Sequence, residues 1–172
     1  MACHSASSDS TASQSKTAKA IKLESDAFTS SGMIPVQYTC DGAEISPPLN
    51  WNAPPQRTRS LALIVDDPDA PGGTFVHWVL YNLPADTRNL SQGIPNQPTL
   101  ANIGMQGKNS FNKFGYSGPC PPSDTHRYFF KVYALDQILE LESGKTKEQV
   151  LQAIEGHVLA EGELIGHYRR QR

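Results

Sequence analysis

Three stretches of the chain, residues 61–65, 75–82 and 128–134, are apolar at almost every position. Unbroken apolar runs of this length are typical of β-strands that are covered on both faces. Loops rich in Pro, Gly and Asn separate the runs. The pattern therefore predicts three central strands of a sheet.

Weaker strand signals lie outside these runs, at residues 21–28, 49–51 and 158–165. Between the second and third central strands, residues 84–117 are polar and rich in Gly and Asn. Compact domains rarely keep such long loops without a functional reason. We therefore expect this segment to be a surface loop that carries functional contacts.

One helix is indicated near residue 146. Thr146 and Gln149 have the spacing of a capping box, in which the two side chains satisfy free backbone N–H groups. Val150 and Ile154 then share one helical face, and Gly156 favours a stop. Many strands with one or two short peripheral helices predict a mainly β fold, either a β-sandwich or an antiparallel sheet.

Composition divides the 172 residues into two parts. Residues 5–19 contain no large apolar side chain, so residues 1–20 are predicted to be a disordered, Ser-rich tail. Residues 21–172 have the length of one domain. We expect a cytoplasmic protein, with a cell-envelope lipoprotein as the alternative. The alternative rests on Cys3, because a Cys before a Ser/Thr linker resembles a mature lipoprotein start.

Charge and apolar run length exclude two classes of protein. The net charge is −2 and there is no basic patch, which argues against a nucleic-acid partner. No apolar run approaches the roughly 18 residues of a transmembrane segment.

The three cysteines, Cys3, Cys40 and Cys120, match no zinc-binding spacing. Cys40 and Cys120 either form a disulfide or stay reduced, and the sequence leaves both open.

Ionisable side chains interrupt the apolar pattern where the central strands begin or end. Asp67 and Asp69 follow the first strand, His77 lies in the second, and His126 and Tyr128 begin the third. Neighbouring prolines stiffen both flanking loops. A polar group that ends an apolar row usually faces a cavity at the rim of the core. These residues therefore predict one small polar pocket.

Strand alternation predicts the direction of His77. Its side chain is expected to share a face with Phe75 and Val79, while Trp78 lies on the opposite face. Trp78 has apolar neighbours and is expected in the core.

Two motifs carry a family resemblance. Residues 67–71 read Asp-Pro-Asp-Ala-Pro and are followed by His77-Trp78, and Gly118-Pro119 is followed by His126-Arg127-Tyr128. These motifs resemble the two signature regions of the phosphatidylethanolamine-binding protein family, also called Raf kinase inhibitor proteins. The flanking sequence is most similar to the bacterial branch, and the resemblance extends from residue 21 to the C-terminus.

The resemblance implies a β-sandwich of antiparallel sheets with one or two short peripheral helices. It also implies one pocket for a small anionic or phosphorylated ligand, in a non-catalytic protein that regulates kinases or proteases and uses no cofactor. By motif match the pocket residues are Asp67, Asp69, His77, Ser117, Gly118, Pro119, His126 and Tyr128. Trp78 would support the pocket from behind. Asp124, where the family usually carries Gly, either weakens anion binding or points to solvent.

An anion can bind beside two aspartates only if their charge is balanced. If the aspartates hold His77 and His126 as imidazoliums, the four charges cancel. Backbone N–H groups of the Gly118 loop and the Tyr128 hydroxyl would then favour an oxyanion.

Two other functions use the same residues. A hydrolase would combine Ser117 as nucleophile with His126 as base and Asp67 as orienting group, although the chain has no Gly-x-Ser-x-Gly motif. A divalent metal ion would be bound by Asp67, Asp69, His77 and His126. An inhibitor that acts on a kinase or protease through its surface is compatible with the binding function.

Overall fold

The computed structural model describes residues 19–171, which form ten β-strands and one α-helix. In chain order the strands are β1 (Lys19–Ala20), β2 (Leu23–Glu24), β3 (Leu49–Trp51), β4 (Ser60–Asp67), β5 (Phe75–Pro84), β6 (Asn89–Leu90), β7 (Thr99–Leu100), β8 (Gly104–Gln106), β9 (His126–Leu135) and β10 (Val158–Tyr168). The helix, α1, spans Lys147–Ile154, and a 3-10 turn spans Val36–Tyr38.

The strands form two sheets. The large sheet has the order β1-β10-β9-β4-β5-β8-β7, and the small sheet has the order β2-β3-β6. Neighbouring strands are antiparallel in both sheets, except that β1 runs parallel to β10. The predicted mainly β architecture with antiparallel sheets and a short peripheral helix is confirmed.

Two apolar cores cover opposite faces of the large sheet. The first lies between the sheets, where Leu63 of β4 and Trp51 of β3 belong to one cluster. The second lies against α1, where Ile64 and Val150 belong to one cluster. All eight residues of β4 are buried because both faces of this strand are covered.

The three apolar runs of the sequence correspond to β4, β5 and β9, and each strand extends beyond its run. The weaker signals at residues 49–51 and 158–165 fall in β3 and β10, whereas residues 21–28 contribute only the two residues of β2. Residues 84–117 contain β6, β7 and β8. This segment is therefore more ordered than the predicted surface loop.

Helix α1 begins with the predicted capping box. The Thr146 hydroxyl accepts from the backbone N–H of Gln149 at 3.2 Å, and the Gln149 side chain accepts from the backbone N–H of Thr146 at 3.0 Å. Val150 and Ile154 are buried against the large sheet. After the helix, Gly156 adopts a left-handed φ of 79°, which glycine accepts without a Cβ clash. The predicted start and stop of the helix are confirmed.

The prediction for the face of His77 is right for Phe75, whose ring centroid lies 4.8 Å from that of His77. It is wrong for Val79 and Trp78, because a β-bulge interrupts the alternation. Val65 of β4 pairs with Trp78, and the next residue of β4 pairs with Val76, so His77 has no partner in the ladder. Trp78 and the neighbouring Tyr128 belong to the core between the sheets, whereas Val79 lies on the helix side. The extra residue thus turns His77 toward the same side as Trp78, as bulges beside functional sites often do.

The predicted tail falls almost wholly outside the described residues, and so does Cys3. Residues 19 and 20 are an exception, because they pair with β10 as β1. No helix in the described part of the chain has both the length and the apolar character needed to cross a membrane.

Candidate functional site

The two motif loops meet at one end of the sandwich and enclose a cavity of about 280 Å³. β4 and β5 lead into and out of the first loop, and β9 follows the second. Of the predicted pocket residues, those that line this cavity are Asp67, His77, Gly118, His126 and Tyr128. Asp69, Ser117 and Pro119 do not line it, although each of them holds a residue or loop of its wall.

His126 is fixed by Asp67. Its Nδ1 lies 2.7 Å from the Asp67 Oδ2, and both side chains are buried. Because a carboxylate oxygen accepts, the imidazole Nδ1 donates in this bond. The bond sets the orientation of the ring and leaves Nε2 as the ring nitrogen available to a ligand.

His77 is held by backbone rather than by a carboxylate. Its Nδ1 donates to the carbonyl oxygen of Ser117 at 2.7 Å. Burial lowers the pKa of His77, although the Ser117 carbonyl and Asp67 act in the opposite direction. The expected imidazolium at this position is therefore wrong, because desolvation outweighs the neighbouring charges and keeps His77 neutral near pH 7.

Tyr128 carries a polar atom that the protein does not satisfy. Its hydroxyl is buried and has no hydrogen-bond partner among the described residues. The ring lies edge-on to His77, with centroids 5.3 Å apart. Burial raises the pKa of Tyr128, and Asp67 and Asp69 raise it further, so the phenol remains a neutral donor. Buried hydroxyls usually have a partner, and this unpaired one belongs to a residue that lines the cavity.

Asp69 pairs with Arg127 and not with an imidazole. Its Oδ2 accepts from the backbone N–H and the Nε of Arg127, both at 2.9 Å, and its Oδ1 accepts from a terminal guanidinium nitrogen at 2.8 Å. These bonds lower the pKa of Asp69 to about 2. They join the loop after β4 to the start of β9, so Asp69 supports the wall instead of facing the cavity.

Ser117 and Pro119 act through their backbone. The Ser117 carbonyl accepts from His77, as described above, and the Pro119 carbonyl accepts from the backbone N–H of Cys40 at 3.1 Å. Ser117 also lines a neighbouring cavity. Trp78 lies behind this loop, with its ring 5.6 Å from that of Tyr116, as expected for a supporting residue.

Cys40 and Cys120 form a disulfide between residues 80 apart in sequence, which resolves the choice that the sequence left open. The bond ties the loop after the 3-10 turn to the second motif loop. Sequence reasoning missed several cavity residues, namely Cys40, Glu44, Phe75, Phe111 and Cys120. The cysteine pair was the available signal, since a bridge to Cys120 brings residues 40–44 to the pocket.

The geometry does not support the hydrolase. Among residues 19–171 the Ser117 hydroxyl forms no hydrogen bond with an imidazole, and His77 bonds the Ser117 carbonyl instead. A serine nucleophile needs its base within hydrogen-bond reach.

The metal site is not supported either. In the described part of the chain, no group of three or more His, Cys, Asp or Glu residues has an arrangement that could hold a metal ion. Asp69 and His126 are engaged with Arg127 and Asp67, which removes them from a common ligand set.

Asp124 is exposed and does not line the cavity. Its φ is 60°, the left-handed region that explains a preference for Gly at this position and that Asp tolerates better than most residues. Of the two expectations for Asp124, the solvent-facing one fits the structure.

The family model for phosphatidylethanolamine-binding protein matches residues 24–169. A UPF0098 protein of Methanothermobacter thermautotrophicus is 53% identical over 150 residues, which cover 87% of this chain and 99% of that protein. A UPF0098 protein of Aquifex aeolicus is 46% identical over 153 residues, covering 87% and 89%.

Solved structures agree with the sequence relatives. The crystal structure of a phosphatidylethanolamine-binding protein homologue from Chlamydia trachomatis superimposes with a TM-score of 0.82 at 43% identity, over 89% of this chain and 99% of that one. Escherichia coli YbcL, described as a member of the mammalian PEBP family, gives 0.78 at 27% identity, over 88% and 99%. The chain belongs to the phosphatidylethanolamine-binding protein family.

Proposed function

We propose that the cavity binds a small oxyanion or a phosphorylated head group without catalysing a reaction. One observation carries this proposal: the buried Tyr128 hydroxyl has no partner among the described residues, and Tyr128 is one of the residues that line the cavity. Leaving such a group unpaired costs about 1–3 kcal/mol. An oxygen atom of a ligand would accept from this hydroxyl and remove that cost.

The two imidazoles supply the remaining contacts. Both use Nδ1 for bonds within the protein, so Nε2 of each ring is available at the cavity. His77 is neutral and carries its proton on Nδ1, because the Ser117 carbonyl only accepts. Its Nε2 can therefore accept a hydrogen bond from a protonated phosphate oxygen.

Charge balance makes proton uptake part of binding. Asp67 and Glu44 line the cavity, and His77 is neutral when the cavity is empty. A phosphate dianion entering this site favours a charged imidazole, because opposite charges stabilise each other at short range. Binding should therefore strengthen as the pH falls, which differs from a site with two permanent imidazoliums.

The outer wall is apolar and suits a ligand larger than a bare ion. Phe75, Phe111, Pro121 and Pro122 line the cavity beside the polar residues. Phe111 is 57% exposed, which places it at the rim. Ligand sites commonly combine an apolar wall with a few polar groups, and here the apolar part would contact the group esterified to the phosphate.

Isothermal titration calorimetry with inorganic phosphate and with phosphoethanolamine tests the proposal at pH 6 and pH 8. We expect binding that is tighter at pH 6 and weakened about tenfold in Tyr128→Phe, which removes only the hydroxyl. His126→Gln should weaken binding further.

His157→Gln is the matched control, because His157 forms an equivalent 2.8 Å bond with Asp136 away from the cavity. Its affinity should equal that of the wild type. Absence of binding at pH 6, or equal affinity in Tyr128→Phe and wild type, would contradict the proposal.

We also propose, on the basis of family membership, that the protein regulates a kinase or a protease. Incubation of the protein with purified kinases and proteases, with loss of their activity as the readout, tests it.

The Cys40–Cys120 disulfide favours an oxidising compartment over the cytoplasm, since disulfides are rare in reducing compartments. Thiol alkylation at the moment of cell lysis would show whether the bond exists in the cell.

A further inference from the structure

The Gly118 loop was expected to offer a free backbone N–H to an anion, and the structure shows that N–H in use. The Gly118 N–H donates to the Glu44 Oε1 at 3.1 Å. Both residues line the cavity. The Glu44 carboxylate therefore occupies a backbone donor of a residue that lines the proposed ligand site.

The contact depends on the local backbone. Glu44 adopts a left-handed φ of 57°, and Cys40, four residues earlier, is bonded covalently to Cys120, two residues after Gly118. A Cβ on residue 118 would lie 3.0 Å from the Glu44 Cγ and 2.6 Å from the Tyr38 carbonyl oxygen. Only glycine permits this approach, so loop closure and residue type both bring the carboxylate to the N–H.

We propose that Glu44 is an internal competitor that sets which anions the cavity accepts. This inference rests on the proposed function, since it concerns the same site. An incoming carboxylate would exchange one carboxylate–amide bond for an equal one and gain nothing. A phosphate group has more terminal oxygens, which can also accept from the Tyr128 hydroxyl and from an imidazole that takes up a proton on binding, so its binding can outweigh the displacement of Glu44.

The neighbouring cavity offers two lysine side chains to the displaced Glu44 carboxylate. Glu44 also lines the neighbouring cavity, which contains Lys108 and Lys113. Within residues 19–171 neither ammonium forms an ion pair, although Lys108 lies 3.9 Å from the ring centre of Phe114. An ammonium group would stabilise the carboxylate after it leaves Gly118, and Glu44 is exposed rather than packed in the core.

Two variants test the inference by calorimetry with inorganic phosphate and with acetate at pH 6. Glu44→Gly removes the carboxylate and suits the left-handed φ, while Glu44→Gln removes only the charge. We expect the phosphate affinity to rise about tenfold in Glu44→Gly and less in Glu44→Gln, and acetate to bind measurably only in Glu44→Gly. Glu140→Ala, which removes an equal charge from an exposed position outside the cavity, should leave the affinity unchanged.

A readout without ligand separates the two proposals. The amide proton resonance of Gly118 should move upfield in Glu44→Gly, because its bond to a carboxylate is lost. Two results would overturn the role of Glu44 and leave the proposed function intact. One is an unchanged Gly118 resonance in Glu44→Gly. The other is a phosphate affinity of Glu44→Gly that equals or falls below that of a wild type that binds phosphate. If the resonance moves but neither protein binds phosphate, the proposed function fails and the competitor role fails with it.

Discussion

At the scale of single residues, the two cavity histidines differ in what holds them. The Nδ1 of His126 donates to a carboxylate, whereas the Nδ1 of His77 donates to a backbone carbonyl. A carbonyl carries only a partial charge, so it offsets less of the cost of burying a charged ring. Desolvation therefore dominates at His77 and lowers its pKa.

The lowered pKa of His77 makes stability depend on pH. Above the ordinary value of 6.5, neither the folded nor the unfolded chain binds a proton at this residue. As the pH falls below 6.5 the unfolded chain takes up a proton first, so the free energy of unfolding decreases until the folded-state pKa is passed. Urea unfolding of the wild type and of His77→Gln between pH 8 and pH 5 should show a smaller decrease in the variant.

His157→Gln serves as the comparison, because it also removes one histidine but leaves His77 in place. Because His77 is intact in this variant, the part of the decrease in the free energy of unfolding that comes from His77 should be the same as in the wild type. A His77→Gln profile parallel to that of the wild type over the whole range would contradict this account.

Asp69 differs from His77 because a charged partner, and not burial, dominates its pKa. Arg127 lowers the pKa of Asp69 from 3.8 to about 2. The stabilisation from this pair is fully present above pH 4 and is lost as the pH falls through about 2, because the folded state then has to bind the proton. Asp69→Asn should be less stable than the wild type at pH 7, and the difference should shrink between pH 4 and pH 2. Urea unfolding at these pH values measures it, and a difference that stays constant down to pH 2 would refute the assignment.

At the scale of elements, helix α1 is the part that follows most directly from local sequence. The Thr146 hydroxyl satisfies the Gln149 N–H, and loss of such a cap costs about 1 kcal/mol. Thr146→Ala should therefore reduce the free energy of unfolding by about this amount, while Thr146→Ser should restore most of it. Urea unfolding at pH 7 checks the pair, and equal stability of the Ala and Ser variants would show that the cap contributes little.

The elements that the sequence predicts are those whose signal is local. β4, β5 and β9 follow continuous apolar runs. β4 and β5 are buried on both faces, whereas β9 alternates buried positions with exposed or half-buried ones, so its second face is less covered than the sequence predicted. β6 and β7 have two residues each, too few for a period to be read. The β5 bulge is invisible in sequence because it is defined by pairing with β4.

The same division holds within the candidate site. Asp67, His77, His126 and Tyr128 are polar residues at the margins of apolar runs, which a sequence pattern can reveal. The Glu44–Gly118 contact joins residues 74 apart in sequence and depends on loop closure, so no local pattern reports it. The hydrogen-bond partner of each imidazole also had to come from the structure, and it reversed the expectation for His77.

At the scale of the whole molecule, the cavity is closed by connections between distant parts of the chain. The disulfide links Cys40 to Cys120, and two hydrogen bonds support the same junction: the Cys40 N–H donates to Pro119 at 3.1 Å, and the Tyr116 hydroxyl donates to the Tyr38 carbonyl at 2.7 Å. Neither cysteine belongs to the core between the sheets. Loss of the bridge should therefore affect the cavity more than the sheets.

The double variant Cys40→Ser/Cys120→Ser tests this division. In the chain-entropy account, a bridge across 80 residues constrains the unfolded state by about 4.5 kcal/mol, so the variant should lose stability of that order yet remain folded at 25 °C. Far-UV circular dichroism should be unchanged because the sheets persist. Phosphate binding should weaken, since Cys40 and Cys120 line the cavity and the two loops that carry them then lose their covalent link. Wild-type affinity in a variant of reduced stability would mean that the hydrogen bonds alone shape the cavity and that the bridge acts only on the unfolded chain.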